Sequence, residues 1–200
     1  MKTSTLLAAL YAAAGLSIAG GALAQAMSPA HPMNKDARDT AYKSAESQYK
    51  MDKALCDALS SNAKDICVER AKGKEKVAKA DADANFDNTP KTREGARVAR
   101  ADAAYDVAKE KCDDLSGNAK DVCVKEAKAA HVKATADAKV DRVAADTRNS
   151  SSEKVTEARR DAANDKRDAD YKVAVEKCDA LAGAAKDACI RTAKTTYGKS

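Results

Sequence analysis

Cys112-Asp-Asp-Leu-Ser-Gly-Asn-Ala-Lys-Asp-Val-Cys123 is a bend written between two cysteines. Gly117 tolerates the left-handed conformation that ends a helix, and Asn118 is a good N-cap for the helix that follows. Asp121 then favours the positive end of the new helix dipole. The midpoint of Cys112 and Cys123 falls between Gly117 and Asn118. Residues equidistant from the bend of an antiparallel pair face each other, within the roughly 5.5–6 Å Cα separation of a disulfide. On one unbroken helix the same pair would stand about 16 Å apart, beyond bridging. Bend and bridge therefore require each other, and the stretch predicts an αα-hairpin.

The stretch occurs three times. Tyr49-KMDKAL-Cys56-DALSSNAKDI-Cys67-VERAK precedes it, and Tyr171-KVAVEK-Cys178-DALAGAAKDA-Cys189-IRTAK follows it. A tyrosine sits seven residues before the first cysteine of each copy, and a leucine three residues after it. Gly183 repeats the stop of Gly117, whereas the first copy has Ser61-Asn62, a weaker stop that keeps the capping asparagine. Six cysteines allow fifteen pairings. The repeat selects Cys56–Cys67, Cys112–Cys123 and Cys178–Cys189, each worth roughly 2–3 kcal/mol by loop entropy.

Persistent disulfides belong outside the cytoplasm, and the start of the chain agrees. Lys2 is followed by an apolar stretch from Leu6 to Leu23 and then by Ala22-Leu23-Ala24, the order of a cleaved secretory signal. An uncleaved anchor is the alternative, opposed by the Ala/Gly-rich character of the run. We expect a signal peptide over 1–24, a flexible segment over 25–33 and a periplasmic mature protein.

The 44% hydrophobic content of the whole chain is mostly alanine, with one Phe and no Trp. Such a chain cannot bury a thick core, yet Ala, Lys, Glu and Arg are strong helix formers. The expected fold is all-α: three disulfide-stapled antiparallel αα-hairpins, elongated, with no large globular core. Uneven spacing between copies implies units on connectors and not a phased solenoid. Asn34 is placed to cap the first helix. The expected hairpins cover 34–84, 91–147 and 153–200, with linkers at 85–90 and 148–152 and a weak point at Gly73. Val98, Ala101, Tyr105, Ala108, Cys112 and Leu115 follow a 3-4-3-4-3 rhythm, the seam of a helix pair. Asp52 interrupts the same face in the first copy, and Asn164 and Arg167 interrupt it in the third.

Little here reads as chemistry. The net charge of +5 is spread through interleaved acids and bases, without the basic block that tracks a phosphate backbone, so no nucleic-acid partner is expected. The cysteine spacing differs from the Cys-x-x-Cys of catalytic dithiols. Only His31 and His131 could join thiols around a metal, and His131 reads as an exposed helical residue. Tyr49, Tyr105 and Tyr171 read as packing residues. No catalytic triad, phosphate loop, metal site or cofactor site stands out, and the chain is not expected to be an enzyme.

The block Cys-Asp-x-Leu-x-Gly-x-Ala-Lys-Asp-x-Cys-x-x-x-Ala-Lys resembles one repeated in uncharacterised exported Ala/Lys/Asp-rich proteins of Gram-negative bacteria, especially β-proteobacteria. These are sometimes labelled cell envelope biogenesis protein TolA. The resemblance implies a periplasmic location and this architecture, and no activity. The likeness to the TolA stalk is one of composition, without the retained anchor or the globular C-terminal domain. The expected function is a non-enzymatic spacer, scaffold or protein-binding surface in the cell envelope, with envelope proteins as partners and an oligomeric state left open. The alternatives are a hydrophilic stress-protective protein and a thiol redox or metal-handling module.

Overall fold

The computed structural model describes residues 33–146 and 152–200. The expected signal peptide and nearly all of the 25–33 segment lie outside them. Six helices follow in order: α1 (Lys35–Cys56), α2 (Ser61–Asp87), α3 (Pro90–Cys112), α4 (Gly117–Asp146), α5 (Ser152–Cys178) and α6 (Gly183–Tyr197). All regular structure among the described residues is helical. The three disulfides pair Cys56 with Cys67, Cys112 with Cys123 and Cys178 with Cys189, each at a Cα separation of 5.6 Å. The all-α, three-hairpin fold is the one expected.

The hairpins do not hang on connectors. Each helix packs on its neighbours in sequence and on no other, so α2 docks on α3 and α4 on α5 as fully as the arms of each hairpin dock on each other. The result is one layer of six helices. Its three hairpin bends share one edge, and the link between the first two hairpins lies at the opposite edge.

The link between the first two hairpins is much shorter than 85–90. Helix α2 runs on to Asp87, Asn88 ends it in the left-handed conformation (φ 46°), and Thr89 starts α3 with Pro90 in the first turn. Thr89 and Thr92 form a reciprocal capping box. Two residues thus do what six were expected to do. Phe86 is held inside α2 by the Arg38 guanidinium, 4.6 Å above its ring. This contact from α1 favours helix where local propensity reads as a break. Asn34 caps α1 as expected, accepting from the Ala37 amide at 2.8 Å.

Alanine fills the interior. Every buried residue among those described is Ala, a half-cystine or Gly73, and none is polar or charged. Small side chains let helix axes approach closely, so contact comes from backbone and methyl groups. A buried methyl contributes on the order of 0.8 kcal/mol, so one disulfide matches several alanines. Gly73 does not interrupt α2. It lies within the continuous helix where α3 crosses, and a Cβ there would stand 2.8 Å from the Ala103 Cβ.

The α3 seam holds over Ala101 and Cys112, both buried, with Val98, Tyr105 and Ala108 half-buried. Leu115 is not part of it. Helix α3 ends at Cys112, so Leu115 sits in the bend and is 44% exposed. Asn164 and Arg167, equivalent to Val98 and Ala101, stand where the third seam stops, as expected. They hydrogen-bond to each other on an exposed face, and the buried residues of α5 are Ala158, Ala162, Ala169 and Cys178. The cause is the shortness of α6. It ends at Tyr197, and the first half of α5 packs on α4 instead.

Candidate functional site

The bends are built alike. In each copy the helix ends at the first cysteine, and the leucine three residues on donates its amide to that cysteine's carbonyl: Leu59 to Cys56, Leu115 to Cys112 and Leu181 to Cys178, at 2.9–3.0 Å. An ion pair of 2.9 Å closes each bend, Lys64–Asp57, Lys120–Asp113 and Lys186–Asp179. The residue five past the first cysteine takes a positive φ in all three: Ser61 (50°), Gly117 (55°) and Gly183 (54°). Here Gly117 opens the second helix; it does not end the first. The Leu59, Leu115 and Leu181 side chains stay 43–44% exposed along this edge.

Asn62 and Asn118 have a role that sequence reasoning missed. Expected as N-caps, they reach sideways to the next hairpin. Asn62 Nδ2 donates to the Glu110 carbonyl at 2.8 Å, and Asn118 Nδ2 donates to the Glu176 carbonyl at 2.9 Å. Glu110 and Glu176 are equivalent, each two residues before a first cysteine. The signal was present in the repeat alignment, because the third copy has Ala184 where these asparagines stand.

Ion pairs reinforce the same interfaces. Lys76–Asp102 (2.7 Å) and Arg100–Asp81 join α2 to α3. Lys177–Glu126 (2.7 Å), Lys125–Glu176 (3.5 Å), Lys133–Asp170 and Lys166–Asp137 join α4 to α5. Asp52, expected as a defect in the first seam, accepts from Lys74 of α2 (2.8 Å) and from Gln48 (2.7 Å), and these bonds hold its carboxyl below the ordinary range.

His131, expected to be exposed, is half-buried. Its Nε2 meets Asp102 Oδ1 at 2.6 Å, and its ring lies 5.4 Å from that of Tyr105. Asp102 thus gathers Lys76 from α2 and His131 from α4. Burial raises its pKa, but the two hydrogen bonds outweigh that and hold the carboxyl below the ordinary range. Tyr171 makes the equivalent ring contact with Tyr197, at 6.3 Å, whereas Tyr49 lies beneath Lys53. The repeated tyrosines are packing residues. His31 lies outside the described residues.

Every described cysteine is oxidised, and Cys56, Cys112 and Cys178 are fully buried. Three such bridges fit a non-reducing, extracytoplasmic compartment. Among the described residues no group of three or more His, Cys, Asp and Glu is placed to hold a metal, and no helix is long and apolar enough to cross a membrane. An open groove of about 650 Å³ lies over α4, between α3 and α5. Val98, Val132 and Ala136 line its floor, with Lys128, Lys139 and Lys172 on its rim. It offers a surface for contact and no assembled nucleophile. No known protein family, curated protein or solved structure matches the chain.

Proposed function

We propose that this chain is a non-enzymatic periplasmic scaffold, a stiff helical layer that spaces or gathers proteins of the cell envelope. The single-layer architecture supports the reading: both broad faces are open, and each step from helix to helix is fixed by a bridge, an asparagine tie or ion pairs. Such a layer has almost no interior in which to enclose a substrate, but a long surface on which to seat partners. The alanine core and the bends stapled by Cys56–Cys67, Cys112–Cys123 and Cys178–Cys189 suit stiffness where no reductant acts.

The test is site-specific photo-crosslinking in intact cells, with the probe at Lys128 or Lys139 on the groove rim or at Leu115 on the bend edge. The expected result is one or a few discrete protein adducts that repeat between preparations. A smear of unrelated adducts, or none, would sink the scaffold reading and favour a diffuse protective role.

A further inference from the structure

The two outermost faces of the layer differ from every face inside it. Aligned on the first cysteine, the positions of α3 and α5 that dock on the preceding hairpin correspond to Ser44, Ser47, Gln48, Met51, Ala54 and Leu55 of α1. On α3 these positions hold Arg100, Ala103, Ala104, Val107, Glu110 and Lys111, and on α5 they hold Lys166, Ala169, Asp170, Val173, Glu176 and Lys177. Both internal faces use charge: Arg100 pairs with Asp81, Lys166 with Asp137, Asp170 with Lys133 and Lys177 with Glu126. These six α1 positions carry no charge; Glu46, equivalent to Asp102, lies beside them and is paired with Lys79. All six side chains are exposed, with Met51 at 54% and Leu55 at 73%. A terminal repeat that only ended the array would carry a polar outer face. This one carries the most exposed large aliphatic side chain among the described residues.

The matching face is at the other end. The positions of α2 and α4 that receive the next hairpin correspond to Ala184, Ala188, Thr192 and Thr195 of α6, all exposed and uncharged. We infer that a second copy of this chain docks its α1 on α6, continuing head to tail the interface that the chain already makes twice within itself. Two observations choose this occupant. The α2–α3 and α4–α5 steps repeat one register, and the α6-to-α1 junction is the next step of that series. The two free faces also match in kind: Met51 and Leu55 meet small residues, and no charge on either face is buried against an uncharged one. Arg191, beside this stripe, corresponds to Lys125, which reaches Glu176 at the C-terminal end of α5. In the junction it faces the C-terminal end of α1, where a cation is favoured.

The contact is heterologous, so it propagates and does not close on a dimer. It is also short, because α6 has 15 residues against 27 in α2, and Ala184 cannot supply the asparagine tie. Association is therefore weak, with a dissociation constant between about 10 μM and 1 mM.

Sedimentation velocity on the full oxidised chain over a concentration series tests this. The wild type is expected to grow into dimers and longer species. L55K and T192E, each tested alone, are expected to weaken association about tenfold or more, the scale of one lost apolar contact or one buried unpaired charge. The double variant L55K/T192E is expected to recover, because the introduced lysine and glutamate reproduce the Lys177–Glu126 pair across the junction. Both positions are exposed, and the equivalent positions carry Lys and Glu in folded copies, so helicity measured alongside should not change. A wild type that stays monomeric throughout overturns the proposal. So does loss of association in L55K with none in T192E and no recovery in the double variant, which would mean that α1 pairs with itself or is covered by another segment of the chain.

Discussion

The α2–α3 and α4–α5 interfaces perform one task with different means. Both seat one hairpin on the next, and both carry the asparagine tie. At the crossing point, α2 offers Gly73 to Ala103, with no room for another carbon, whereas α4 offers Ala129 at the position equivalent to Gly73 and α5 offers Ala169 at that of Ala103. Among the described residues the second interface adds four ion pairs around its crossing, where the first has two. The connection differs too: Asn88 and Thr89 alone join α2 to α3. Close backbone approach and distributed charge are thus interchangeable ways of docking alanine-faced helices. They should respond to different perturbations.

Gly73→Val should have the largest effect. Its side chain would fall where a Cβ already lies 2.8 Å from the Ala103 Cβ, and overpacking of this kind costs about 1–3 kcal/mol. Hydrogen exchange should show α2 and α3 losing protection while α5 and α6 keep theirs. Equal loss throughout would mean that the hairpins do not dock as separate steps.

Acid should come next. Asp102 joins α2, α3 and α4 through Lys76 and His131, and its pKa is lowered. A depressed carboxyl stabilises the fold above its ordinary pKa near 4, and the contribution disappears as pH falls through the lower folded value. Thermal melts should therefore fall as pH drops below about 4, and Asp102→Asn should remove part of that slope while costing about 1–2 kcal/mol at neutral pH. An unchanged slope would deny Asp102 this role.

Ser61→Gly should act with opposite sign. Ser61 holds φ 50°, the conformation that the other two copies give to Gly117 and Gly183. An L-residue pays roughly 1 kcal/mol there, so the first hairpin should gain about that much in a denaturant titration. Salt should have the smallest effect. In 1 M NaCl exposed pairs lose a few tenths of a kcal/mol each, and exchange should rise at α4–α5 more than at α2–α3. The reverse order would undo the contrast drawn between the two interfaces.

Much of this fold was legible within each copy and little of it between copies. The bend at Gly117-Asn118, the pairing of Cys112 with Cys123 and the cap at Asn34 all depend on residues a few places apart, where local geometry dictates the outcome. Docking of α2 on α3 does not, because it depends on which alanines face outward and on Gly73 meeting Ala103, a residue thirty positions away. The residues 85–90 read as a break because Asn, Asp and Pro cluster there, but Arg38 on the Phe86 ring carried the helix three residues further than 84. Leu115 was assigned to the seam by periodicity, which cannot register that the helix stops at Cys112. His131 looked solvent-facing because its partner, Asp102, comes from another helix.

An interior of methyl groups changes what the open chain presents to its surroundings. Before its thiols are joined, this polypeptide has few of the long aliphatic and aromatic runs that make unfolded proteins adhere to one another. The reduced chain is therefore expected to stay extended and hydrated, with oxidation, more than hydrophobic collapse, setting the moment at which it becomes a shaped object. Light scattering from the reduced chain, low at concentrations where ordinary unfolded domains precipitate, would register this property directly.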